Sequence, residues 1–190
     1  IEFREKLSRI AFTETAYYDS VISNYFNKIS GISFPDKRIY HANLIETLRY
    51  GENPHQKSAI YSKNSNMNIK QIHGKRLSYN NYNDIFAALT ISKSLPKNNG
   101  TVIVKHANPC GVSIKKNSLK SYKAAFECDP VSAFGGIVSC NYKITKTVAE
   151  ELNKLFLEVI IANNFDADSL KILKKKKNLR LIDASNYTLK

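Results

Sequence analysis

The sequence predicts a layered α/β domain with a helical appendage at its amino end. Three observations carry the prediction. Thr101-Val102-Ile103-Val104 is β-branched throughout, the composition of a strand buried on both faces. Strand and helix patterns then alternate four times as far as Ile182. Ahead of both, residues 4–27 space Leu7, Ile10, Ala11, Tyr18, Val21, Ile22 and Tyr25 by threes and fours, as one or two amphipathic helices would.

Taken in order, the helical pattern stops at Ser30-Gly31, with Pro35 beyond it. Residues 1–28 therefore read as the appendage, 29–38 as a linker and 39–190 as the α/β domain. Leu48 to Gln56 is a loop rich in breakers, Lys57–Tyr61 a candidate strand, residues 62–68 a polar loop, and a short strand is expected within Ile69–Leu77. Ile85–Leu95 is apolar and helical, with Asn81 or Asn83 as its expected cap and Pro96 past its end. After the β-branched strand, a turn is expected at Asn108-Pro109 and Gly111. Ser118–Cys128 reads as a helix and Val131–Gly136 as a loop. Strands at Ile137–Cys140, Glu158–Ala162 and Leu179–Ile182 then alternate with helices at Thr147–Phe156 and Ser169–Lys176.

At 190 residues, 43% of them hydrophobic, the chain can build a core and is not disordered. No run approaches the ~20 apolar residues of a membrane span, and the charged opening Ile1-Glu2-Phe3-Arg4 is no secretory signal. Without an initiator methionine, the chain is expected to be a fragment. Cys110, Cys128 and Cys140 are odd in number and lack C-x-x-C spacing, which suits a reducing cytoplasm. The net charge of +13 invites a nucleic-acid reading. Its one dense cluster, Lys174 to Lys177, has no interleaved aromatics to stack on bases, so a solvated basic surface is favoured and no nucleic-acid partner is expected. Attraction of small polyanions is a third use of such a field.

The buried strand carries Lys105 and His106 to the rim of a sheet. Ligands of open α/β sheets bind at the carboxyl ends of strands, so these adjacent proton-handling groups form a candidate catalytic pair. Arg49-Tyr50-Gly51, Ser78 to Asp84 and Ser132 to Gly136 also sit beside strand or helix ends and are expected at the same edge. Singly, each is accounted for by ordinary turn and cap chemistry. Pro109-Cys110 matches half of the zinc-deaminase signature H-x-E…P-C-x-x-C, but Asn108 stands where Glu is needed and Ser113 where the second Cys is needed. No metal is expected. Gly135-Gly136 fits neither the P-loop nor the G-x-G-x-x-G pattern.

Together and in this order, Leu48 to Gln56 (LRYGENPHQ), Leu77 to Asp84 (LSYNNYND), Ile103 to Gly111 (IVKHANPCG) and Cys128 to Asn141 (CDPVSAFGGIVSCN) closely resemble the bifunctional purine-biosynthesis family that joins AICAR transformylase to IMP cyclohydrolase. Glu158–Ala162 and Lys176–Leu181 resemble further family segments, and residues 11–19 resemble the end of its cyclohydrolase domain, so the likeness covers nearly the whole chain.

The resemblance implies a cytidine-deaminase-like subdomain without zinc, preceded by the helical tail of the cyclohydrolase domain. It implies formyl transfer from 10-formyltetrahydrofolate, as co-substrate, to the 5-amino group of AICAR. That amine is a poor nucleophile, so a base must take its proton and a cation must steady the charge developing at the formyl group. By position, His106 takes the proton-transfer role and Lys105 the electrostatic one. Arg49 and Tyr50 match the family's nucleotide-binding pair, Asn81 an AICAR contact, Gly135 a backbone position that the ligand approaches closely, and Glu158 a carboxylate at the substrate. Asn163 replaces a proline usual in the family, which alters the expected loop. The family also implies a cytoplasmic homodimer and, in the full-length enzyme, a monovalent cation. Its folate and cation contacts are expected beyond Lys190, and cyclohydrolase activity is not expected. The reading from another class is an inactive nucleotide-binding or structural module.

Overall fold

The computed structural model describes residues 1–63 and 66–189, so part of the polar loop expected over residues 62–68 lies outside the described residues. The contacts divide into two units, Ile1–Ile45 with Tyr61–Ser65, and Glu46–Ile60 with Asn66–Lys190. In the first, one continuous helix, α1 (Glu2–Ile29), carries Glu2 and Glu5 in its first turn and Lys28 in its last, as the helix dipole favours. Its one buried residue is Ser20, whose hydroxyl lies 2.9 Å from His41 Nδ1. Phe3, Phe12 and Tyr18 on this helix are exposed. β1 (Asn43–Thr47) and β2 (Ala59–Ser62) pair as a small sheet.

The second unit is built on a six-stranded sheet in the order β3-β8-β7-β6-β4-β5. Its strands are β3 (Lys70–His73), β4 (Gly100–Lys105), β5 (Asn108–Ile114), β6 (Ile137–Ile144), β7 (Val159–Phe165) and β8 (Arg180–Asp183). β6, β7 and β8 run parallel, β4 is antiparallel to both β5 and β6, and β3 is antiparallel to β8. The sheet is thus mixed, which alternation along the chain does not reveal.

Side-chain alternation along the strands sends residues into two cores. Ile103, Val138, Ile160 and Leu181 pack with Tyr122 of α3 (Ser118–Cys128), Leu152 of α5 (Lys146–Leu152) and Leu173 of α6 (Ala167–Leu173). Val102, Val104, Val159, Ile161 and Ile182 pack with Ile85 and Leu89 of α2 (Tyr79–Ser94). Both faces are covered, so the central strands read as unbroken apolar runs, and Val102, Ile103 and Val104 are fully buried.

Several local expectations are corrected. The cap of α2 is Ser78, not Asn81 or Asn83. Ser78 and Asn81 form a reciprocal capping box, so the helix starts six residues before the apolar pattern. The turn after β4 is His106-Ala107, and Asn108-Pro109 and Gly111 belong to β5 instead. Pro109 is tolerated there because β5 is an edge strand and the register slips by one at Cys110. The expected loop over Val131–Gly136 begins with a short helix, α4 (Pro130–Ala133), capped by the Asp129 side chain, with Pro130 pre-set for its first position. Asn163 extends β7 rather than starting a loop: its amide donates to Asn141 O and accepts from Lys93 Nζ.

Candidate functional site

Val104 of β4 pairs with Ile137, the first residue of β6. The carboxyl end of β4 therefore lies beside the amino ends of the parallel strands β6, β7 and β8. The sequence expectation placed the site at carboxyl ends. That holds for Lys105 on β4 alone, because β4 runs against its parallel neighbours.

Lys105 closes a two-residue hairpin turn by pairing with Asn108. The residues between them, His106 and Ala107, have φ of 53° and 58°. Both lie in the left-handed region, as a type I′ turn demands, where Asn-Gly is the favoured sequence. A non-glycine residue there costs about 1–2 kcal/mol, so this turn needs support from outside itself. Asn108 Nδ2 donates to His106 O at 2.8 Å, and the Ala107 N–H donates to Asp84 Oδ1 of α2 at 2.7 Å. The His106 side chain is exposed.

From Lys105 a series of hydrogen bonds, joined through the backbone of residues 134–136, crosses the strand ends. Lys105 Nζ donates to Phe134 O at 2.9 Å. The next residue, Gly135, has φ +72° and donates its N–H to Phe156 O at 2.9 Å. The Glu158 N–H donates to Gly136 O, and the Arg180 N–H to Glu158 O, each at 3.1 Å. At the far end, Asn81 Nδ2 donates to Glu158 Oε2 at 2.8 Å, with Arg180 Nη1 3.7 Å from the same oxygen. Asn81 is almost fully buried, while the Glu158 side chain keeps 45% of its surface exposed. The carboxylate is therefore oriented by protein and open to a ligand.

Arg49 and Tyr50 line a cavity of about 490 Å³ with Lys75, Arg76, Ser78 and Arg180. A neighbouring cavity of about 480 Å³ shares Lys75 and Arg180 and adds Phe156, Glu158, Lys176 and Lys177. Arg180 thus borders both. The Arg49 guanidinium lies 5.8 Å from the Tyr50 ring centroid, within cation–π range. Glu46 accepts from Arg76 Nε at 2.7 Å and from the Tyr82 hydroxyl at 2.9 Å. Burial first, and then the Glu46 carboxylate, push the Tyr82 pKa far up, so that phenol stays a donor.

Other groups near the turn are also tuned. Hydrogen bonds from Ser132 hold the Asp129 carboxyl below its usual range, with Lys105 adding to the effect. Burial pushes the Cys110 thiol up, so it stays protonated at neutral pH. Among the described residues, no group of three or more His, Cys, Asp or Glu is placed to hold a metal, and no helix is long and apolar enough to cross a membrane.

The structure thus links Lys105, Gly135, Glu158 and Asn81 in one series and sets Arg49 and Tyr50 around an adjoining cavity. Sequence reasoning named the segments that hold Asp84 and Arg180 but gave neither residue a role of its own. Asp84 lies three residues after Asn81, hence on the same helical face, a signal readable only once α2 is known to start at Tyr79. Arg180 was hidden by the basic composition around it.

A family model described as "AICARFT/IMPCHase bienzyme" matches residues 1–190. The bifunctional purine biosynthesis protein PurH of Listeria welshimeri is 46% identical over 186 residues, covering 95% of this chain and 36% of that protein. Its namesake in Thermoanaerobacter sp. (strain X514) is 45% identical over 185 residues, with the same coverage of both chains, and that of Oceanobacillus iheyensis is 41% identical over 187 residues. The chain thus spans about a third of the length of these curated relatives. Among solved structures, Acinetobacter baumannii RibD, form 1, aligns over 55% of this chain and 34% of its own at a TM-score of 0.37 and 18% identity, too distant to bear on fold or function. A family match from end to end, with relatives above 40% identity over at least 95% of this chain, settles the affiliation: the chain belongs to the AICARFT/IMPCHase bienzyme family.

Proposed function

We propose that this chain supplies the reacting pair and part of the nucleotide site of an AICAR formyltransferase, which moves a formyl group from 10-formyltetrahydrofolate to the 5-amino group of AICAR. The observation that carries the reading is the hydrogen-bonded series from Lys105 through Gly135 and Glu158 to Asn81. It gathers chemically distinct groups, distant in sequence, along one sheet edge.

The AICAR amine is weakly nucleophilic because its lone pair is drawn into the ring and carboxamide. His106, exposed at the hairpin tip, takes the amine proton as the new C–N bond forms. The Lys105 ammonium uses one of its three N–H groups on Phe134 O, leaving two for the formyl oxygen as negative charge develops there. It also stands ready to protonate the departing folate nitrogen. Arg49 is suited to a phosphate by its fork of donors, and the cavity it shares with Lys75, Arg76 and Arg180 is cationic. Glu158, held by Asn81, accepts from N–H groups of the base. Gly135 leaves its backbone open to close approach, since a Cβ there would meet nothing nearer than Phe156 at 3.7 Å.

The proposal extends to a cytidine-deaminase-like layering for residues 39–190, a helical cyclohydrolase tail over residues 1–28, a cytoplasmic setting and a homodimer. Because the chain spans 36% of its relatives, a second reading holds that these 190 residues alone bind the nucleotide without turning it over. The test is AICAR formylation by the longest natural chain carrying this sequence. His106→Ala should lower kcat by ~10²–10⁴-fold, and a loss of only a few-fold overturns the assigned roles. Turnover by the 190 residues alone would discard the second reading.

A further inference from the structure

We propose that Asp84 is a positioning residue for this site: its carboxylate seats the two-residue turn that presents Lys105 and His106. The inference rests on the reading of that pair as the reacting groups. The His106-Ala107 turn consists of two consecutive non-glycine residues in the left-handed region. In a two-residue hairpin the N–H of the second loop residue has no partner across the ladder. Here the Ala107 N–H is taken by Asp84 Oδ1 at 2.7 Å, a short bond to a charged acceptor.

Asp84 lies in the same helix as Asn81, three residues on, so both face the sheet edge. Asn81 aims Glu158 at 2.8 Å, while Asp84 seats the turn. One capped helix thereby sets the distance between the carboxylate that orients the substrate and the pair that handles its proton. A reacting group displaced by about 1 Å loses roughly 10²-fold in rate, so this bond matters to the chemical step more than to ligand affinity. Among the described residues Asp84 makes no hydrogen bond or ion pair with either reacting side chain, and it acts through the backbone of the turn.

The test compares Asp84→Ala and Asp84→Asn in the longest natural chain carrying this sequence, by steady-state AICAR formylation and by hydrogen exchange of the peptide containing Ala107. The asparagine keeps an acceptor oxygen. The expected result is that Asp84→Ala lowers kcat by roughly 10–10²-fold with KM for AICAR within about threefold. The Ala107 peptide should exchange faster, and Asp84→Asn should recover kcat to within about fivefold of the parent. Unchanged kcat in Asp84→Ala, an asparagine variant as slow as the alanine one, or an effect confined to KM would overturn the proposal. If the parent itself transfers no formyl group, the transformylase reading fails. Exchange at the Ala107 peptide then decides the seating by itself: faster in Asp84→Ala upholds it, and unchanged refutes it.

Discussion

Gly111 and Gly135 both flank the proposed site, yet each resists substitution for its own reason. A Cβ on Gly111 would lie 2.0 Å from Ala125 O, because β5 packs directly on the backbone of α3. A Cβ on Gly135 meets only Phe156 at 3.7 Å, but its φ of +72° is unfavourable for any L side chain. Gly111→Ala should therefore cost roughly 3 kcal/mol by overpacking, lowering Tm by roughly 6–12 °C for a chain of this size. Gly135→Ala should cost about 1–2 kcal/mol and act mainly on the site. Thermal unfolding of both variants checks this, and equal losses would contradict it. Composition marked Gly111 only as a breaker. That it is a contact glycine depends on which helix lies across β5, and no local pattern in the sequence encodes that.

At the scale of elements, the ends are where sequence and structure part. The buried strands were legible because continuous β-branched and aliphatic runs are expensive to expose. The start of α2 was not: Tyr79 to Asp84 is mostly polar, since Asn81 joins the capping box and aims Glu158 while Asp84 seats the turn, and Tyr82 alone of the six joins the core. The tight turn was hidden too, because neither His106 nor Ala107 favours positive φ. Caps also carry pH dependence. Asp166 caps α6, and the Ser169 backbone N–H, ahead of the Ser169 side chain and the Lys146 N–H, holds its carboxyl below the usual range. A depressed carboxyl stabilises the fold above the ordinary aspartate pKa of ~4, and that contribution fades as pH falls through the lower folded value. Asp166→Asn keeps an acceptor for the cap but cannot titrate, so its stability should fall less steeply than the parent's between about pH 5 and 2. Denaturant midpoints across that range measure it, and parallel curves would show that Asp166 contributes nothing to the acid limb.

For the whole molecule, burial is concentrated in the sheet. β4 and β6 to β8 hold most of the fully buried side chains, whereas α1 buries Ser20 alone along 28 residues. Native-state hydrogen exchange should leave Val102–Val104, Val138–Cys140 and Ile160–Ala162 protected longest, with α1 amides exchanging first. Slowest exchange in α1 would refute that ordering. The α/β class and several of the residues that meet at this sheet edge, Lys105, Gly135, Glu158 and Asn81 among them, were readable from patterns and family motifs, but strand order and direction were not, because pairing partners are chosen by packing across the sheet. The direction of the strands has an electrical consequence. β6 and β7 run away from the site, so α5 and α6 begin at the opposite edge and turn the positive ends of their backbone dipoles away from it. α2 runs the other way and brings its amino end, with Ser78 and Asn81, to the site. An anion at this edge therefore meets one favourable helix terminus and otherwise depends on side-chain cations, Arg49, Lys75, Arg76 and Arg180, so its hold weakens as dissolved salt screens them.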